Sequence, residues 1–368
     1  MNSQRSFAHA RLARGFSVAV AAVAFGPLVG WALTFNFIPS AATSAQAIAG
    51  FTAAGNRWSS LFNDNMVVNI NIDFSLLGAG ILGSTGSTMA FATYTDYKNA
   101  LTLDQTSADD ASAVAHLQAG PGVNMLLNRT SNSPNGAGSA TPFVDNDGDA
   151  NNTMIRGTRA NFKALGLVNP LAGASDASIR FSTAFTFDFD PSNGITAGAF
   201  DFVGVATHEI GHALGFISGV DILDGNSSSS FFPDNAFTFV SPLDLFRFST
   251  LSTSSGNLID WTADTRAKYF SVDGGVTNLG GFSTGRVQGD GQQASHWKDS
   301  LGLGIMDPTA ARGELLAVTS LDAKAFDVIG YNLVAESPIP EPSTYGLLGA
   351  IVLAGVVGWR RRQNRRAV

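Results

Sequence analysis

The stretch Thr207-His208-Glu209-Ile210-Gly211-His212-Ala213-Leu214-Gly215 organises the reading of this chain. An α-helix turns by about 100° per residue, so His208 and His212 lie about 40° apart and one turn along, where two imidazole nitrogens can converge on one tetrahedral Zn²⁺. Glu209 falls beside that pair, placed to take a proton from a metal-activated water as it attacks a carbonyl. Val203, Ala206, Ile210, Ala213 and Ile217 recur at helical spacing on the other side, so the segment has one wet face and one dry face. The bland alternative is a chance His-Glu-His on an amphipathic helix. Composition weakens it: Asp outnumbers Glu 25 to 4, yet Glu fills the position where the longer arm suits the chemistry.

The 368 residues suffice for one large domain or two smaller ones with a sizeable core. Residues 1–14 carry Arg5, Arg11 and Arg14 without an acid, and Gly15 to Ala32 is almost wholly apolar or small. That layout predicts a signal peptide over 1–32 and a mature start at Leu33, with an uncleaved membrane anchor as the alternative. From Leu33 to Pro338 there are 14 Lys plus Arg against 28 Asp plus Glu, a formal charge near −14. Nucleic acid and anionic membrane surfaces are poor partners for such a body. There is no cysteine, so rigidity must come from packing or bound metal. Asp145-Asn146-Asp147-Gly148-Asp149 offers alternating carboxylates, but Gly stands at the fourth position and Arg156 at the twelfth, which excludes an EF-hand. A solvated turn is the simpler reading, and Ca²⁺ at Asp145, Asp147 and Asp149 stays open.

Alternation predicts a strand at Leu33–Phe37 and another from Met66 to Phe74, with Val68, Ile70 and Ile72 on one face and an Ala-rich helix from Ser44 to Phe62 between them. Thr95–Leu101 and Ser107–Gln118 read as capped helices, and Asn132–Asn152 as loop. Ser178–Phe189 alternates throughout and predicts one long half-buried strand. The pattern is α+β.

A catalytic zinc site takes three protein ligands and keeps a position open. The chain has five histidines. His9 is in the leader and His116 lies on a helix far upstream, which leaves His296 in Ala294-Ser295-His296-Trp297. Asp221, a carboxylate just past the helix, is the competitor, and Ser218 is a poor ligand. Gly304-Ile305-Met306-Asp307-Pro308 follows His296. With it, the chain resembles the metzincin metallopeptidases, specifically their leishmanolysin-like branch, through His208, Glu209, His212, Gly215, His296 and Met306. The resemblance is confined to roughly 200–331. It implies a zinc peptidase domain over 33–336 with a mixed sheet, an active-site helix and a Met-turn beneath the metal. His208, His212 and His296 would be the ligands, Glu209 the general base, and a protein or peptide the substrate. Absence of the compact third-ligand position and of disulfides departs from the secreted relatives. A zinc-containing surface or matrix protein that cleaves nothing is the alternative.

The 77 residues between Ser218 and His296 read as an ordered excursion, with Leu243, Leu245, Phe246 and Phe248 buried. Asp273-Gly274 should turn between short strands, Asn226–Ser230 should form a tip, and Leu321–Ile329 a closing helix. At the C-terminus, Pro340-Glu341-Pro342 in a linker over 337–344 precedes an apolar run, Tyr345 to Trp359, and then Arg360, Arg361, Arg362, Arg365 and Arg366. This resembles the PEP-CTERM sorting tail of Gram-negative bacteria. It implies an exosortase-type partner, transient membrane anchoring through 345–368, and delivery to the cell surface or extracellular matrix. Fifteen apolar residues are short of the ~20 of a spanning helix, although arginines can extend their reach by snorkelling, and a plain anchor is the alternative.

Overall fold

The computed structural model describes residues 33–226 and 232–334. The expected leader, the linker, the C-terminal tail and most of the Asn226–Ser230 tip lie outside them. Among the described residues, no helix is long and apolar enough to cross a membrane.

The architecture is α+β, with one larger mixed sheet and several small ones. Strand Thr34–Pro39 runs parallel to Val67–Ser75, and this pairing needs a crossover, which the Ala45–Ser59 helix supplies. Ser44 caps that helix by accepting from Ala47 N at 3.1 Å. Ala177–Ser182 adds a third parallel strand, and Gly83–Ser87 closes the sheet as an antiparallel edge. Val68, Ile70 and Ile72 are buried as their alternation predicts.

The Phe202–Leu214 helix packs against both the Ala45–Ser59 helix and the edge strand. Two glycines permit the close approach of the first helix to its neighbours. A Cβ on Gly50 would stand 2.5 Å from the Phe202 ring, and one on Gly55 3.0 Å from Phe35. Glycine inside a helix costs about 1 kcal/mol relative to alanine. Here that loss is offset by an aromatic cluster in which Phe51 meets Phe181 and Phe202 edge to face at 5.4 and 5.3 Å. Trp58, fully buried, donates from Nε1 to Thr207 O at 2.9 Å and ties the two helices together.

Three expectations need correction. Ser178–Phe189 is not one strand. Pairing stops at Ser182, Thr183 and Ala184 form an exposed turn in which Ala184 N donates to Ser182 Oγ, and Phe187–Asp188 pairs separately with Phe200–Asp201. The phenylalanine alternation survives because Phe187 and Phe189 pack on Phe202; the backbone hydrogen bonds do not continue. Residues 132–152 are not wholly loop: Phe143–Asp145 pairs with Met125–Leu127, and Asp149 caps a short helix, Ala150–Thr153. The dry face of the motif helix also ends early. Gly215, at φ +127°, stops the helix after Leu214, and Ile217 leaves the core to line a cleft.

A buried ion pair fixes the start of the central strands. Lys163 Nζ lies 2.6 Å from Asp176 Oδ2, both side chains are fully buried, and the ammonium also donates to Val67 O and Ala172 O. The same carboxylate oxygen accepts from Asn69 N at 2.8 Å. Removing one partner of such a pair strands the other charge. Asp176→Ala should therefore lower unfolding free energy by about 3–5 kcal/mol. Denaturant melts check it, and a loss below about 1 kcal/mol would remove the pair as a determinant of the fold.

Candidate metal centre

His208 and His212 project from the motif helix, and the chain returns after its long excursion to place His296 against them. The three Nε2 atoms lie 3.1, 3.2 and 3.3 Å apart. These short separations are not hydrogen bonds. His208 Nδ1 stands 2.8 Å from Ile305 O, His212 Nδ1 2.7 Å from Phe216 O, and His296 Nδ1 3.3 Å from Gln293 O. Carbonyl oxygens only accept, so each ring's proton belongs on Nδ1. Burial holds the imidazoles neutral, pushing His208 down to about 4, His212 to about 3 and His296 well below its usual range. Three Nε2 lone pairs then face one another, an arrangement that a cation relieves. Nitrogens bound about 2.0–2.1 Å from a tetrahedral Zn²⁺ sit about 3.3–3.4 Å apart, so the donor set fits that ion.

Glu209 is buried beside the imidazoles, and Thr85 of the edge strand donates from Oγ1 to its Oε2 at 2.6 Å. Burial pushes its carboxyl up to about 7 against the opposing pull of that hydrogen bond. Positive charge at the imidazoles would act in the other direction. Gly83 gives the carboxylate room, since a Cβ there would fall 2.7 Å from Oε1. On the inner side, Met306 is fully buried and its Sδ would lie 2.4 Å from a Cβ at Gly211, so glycine in mid-helix is the condition for the methionine to sit there.

The return of His296 is built from buried polar groups. Asp322 accepts from Trp297 Nε1 at 2.8 Å and Ile305 N at 2.8 Å, and it caps the closing helix Ser320–Asp327 through Thr319. One carboxylate thereby joins the segment after His296, the Met306 turn and the Ser320–Asp327 helix. Asp221, the competing ligand, instead accepts from Ala294 N at 2.6 Å and Ser295 N at 3.2 Å and so holds the His296 loop. Ser218 donates to Asp244 at 2.6 Å and is engaged there. His116 is exposed and bonds Ser112 O. Thr85 and Asp322 gave no signal in the sequence, because short Gly/Ser/Thr strands lack periodicity and one Asp among many is unremarked.

The acidic loop converges differently from expectation. Carboxylate oxygens of Asp145, Asp147 and Asp234 come within 4.8 Å of one another, whereas Asp149 is spent capping its helix at Asn151 N.

The imidazoles and Glu209 open on a cleft of about 880 Å³, bordered by the edge strand on one side and by Gln292, Gln293 and Pro308 on another. Residues 338–362 match the model of the PEP-CTERM protein-sorting motif. No curated protein and no solved structure matches the chain. The motif implies recognition by an exosortase-type sorting enzyme and an exported protein with a C-terminal sorting signal.

Loss of a ligand and loss of its support should separate in a zinc titration. His296→Ala should weaken zinc affinity by more than about 100-fold, whereas Asp221→Ala should cost about 10-fold and recover with excess metal. If Asp221→Ala is the more damaging variant, the carboxylate is itself a ligand.

Proposed function

We propose that this chain is an exported zinc-dependent endopeptidase with a metzincin-like domain similar to the leishmanolysin branch. The observation that supports it best is the convergence of three proton-free imidazole nitrogens beside a buried glutamate in an open cleft. Structural zinc sites use four protein ligands and are closed, while catalytic ones hold three and leave a face free. His208, His212 and His296 would hold the ion, which when bound supplies Lewis acidity at a carbonyl oxygen and acidifies water.

Glu209 accepts the proton and is aimed by Thr85, whose hydroxyl fixes one carboxylate oxygen. Among the described residues the Gly83–Ser87 strand pairs only with Ala177–Ser182, which leaves its outer edge open to an extended peptide by strand addition. Met306 beneath Gly211 is consistent with a Met-turn. Three clustered carboxylates do not by themselves define a cation site, and we assign no Ca²⁺ to Asp145, Asp147 and Asp234. The sorting tail adds a location: the cell surface or matrix of a Gram-negative bacterium, reached through transient anchoring by 345–368.

Glu209→Gln should lower casein hydrolysis by about 10²–10⁴-fold while zinc content stays at wild-type level. Equal activity would remove Glu209 as base, and an inactive, zinc-loaded wild type would favour the non-catalytic surface protein. Mass spectrometry of the exported form should find a start near Leu33 and no intact 345–368 peptide; recovering that peptide at the final location would leave only a plain anchor.

A further inference from the structure

Arg156 lies in strand Met154–Thr158 and reaches into the same cleft as His208, Glu209 and His212. Its guanidinium is held between two rings, with its carbon 4.0 Å from the Phe239 centroid and 4.9 Å from that of Phe91, its cross-strand neighbour. The backbone there is fixed as well, since Arg156 N donates to Val240 O at 2.9 Å. Among the described residues no carboxylate pairs with this side chain, and its Nε is buried without a hydrogen-bond partner. Arginine stays charged, so the cleft wall presents a preorganised cation with unused donors.

The carboxylates that line the cleft are engaged elsewhere. Glu209 is bonded by Thr85, Asp221 by the Ala294 and Ser295 amides, and Asp307 by Thr309. Arg286, the other cation of the lining, is exposed and forms no ion pair among the described residues. A body with a formal charge near −14 repels acidic ligands generally. In its cleft, by contrast, two arginines have no ion-pair partner among the described residues, while the three carboxylates of the lining are already bonded by hydroxyl or amide donors. Fork-shaped donors fixed between aromatic rings suit a carboxylate, which accepts two parallel N–H bonds.

We infer that Arg156 determines specificity by receiving a carboxylate of the bound peptide. The inference rests on the peptidase reading for the identity of the ligand as a peptide. The carboxylate can come from an internal Asp or Glu side chain or from a free C-terminus, and the two are separable.

The test is binding of fluorescein-labelled peptides to the full zinc-loaded Glu209→Gln protein, so that turnover does not intervene. Three peptides of one sequence are compared: internal Glu with an amidated C-terminus, internal Gln with an amidated C-terminus, and internal Gln with a free C-terminus. One of the two acidic peptides should bind about tenfold or more tightly than the neutral one. The preference should vanish in Arg156→Gln and persist in part in Arg156→Lys, which retains charge but not the fork. Thermal melts of the variants guard against unfolding, and Arg156→Glu, if folded, should favour a Lys peptide. Equal binding of all three, no binding of any, or a preference that survives Arg156→Gln overturns the inference. Cleavage by the wild type separates the two readings. Acid-indifferent cleavage leaves the peptidase standing without this role for Arg156, whereas an Arg156-dependent binding preference without cleavage leaves the carboxylate site and removes the peptidase.

Discussion

Three imidazoles can turn bare lone pairs toward one point only if each ring's single proton is engaged elsewhere, and much of this structure serves that condition. The acceptors are backbone carbonyls from three places: Ile305 in the turn before Met306, Phe216 at the exit of the motif helix, and Gln293 in the loop before His296. A carbonyl cannot donate, so the tautomer is set by position rather than by equilibrium with solvent. Burial works in the same direction by opposing the imidazolium form. Site and fold are therefore one problem, because moving any of those carbonyls would release a ring.

Close packing supplies the accuracy. Gly50 against Phe202 and Gly211 against Met306 show glycine used where a methyl group would collide, with Trp58 bonding Thr207 O between the two helices. Tyr331, near the end of the described chain, donates to Leu214 O at 2.6 Å and satisfies a carbonyl in the last turn of the motif helix. Positions from residue 50 to residue 331 thus bear on one thirteen-residue helix.

The excursion between the second and third histidines returns to the site through buried polar anchors. Asp244 gathers Ser218 Oγ, Gly219 N, Ser241 N and Trp261 Nε1 at its root. Arg247, fully buried, donates to Ser283 O and Ala294 O while lying over the Phe282 ring, and Asp221 holds the amides of Ala294 and Ser295. Buried groups of this kind tolerate few partners, so they define one path for the chain. Asp221 draws its value from that role, and a carboxylate placed just after the helix is thereby committed to the His296 loop.

What the sequence determined by itself is what depends on neighbours a few residues apart. Helical spacing placed His208, Glu209 and His212 on one face, alternation placed Val68, Ile70 and Ile72 inward, and Ser44 and Ser107 marked helix starts through side chains that bond the next turn. The sorting motif was legible for the same reason, as a local string. Tertiary structure decided what depends on chain return. The alternation of Ser178–Phe189 continues in its side chains but not in its hydrogen bonds, since a neighbouring strand is available only as far as Ser182. Thr85 on Glu209, Asp322 on Trp297, Asp234 in place of Asp149, and Arg156 between Phe91 and Phe239 join residues distant in sequence. No periodicity marks such pairs, because burial and partner geometry, not local backbone preference, select them.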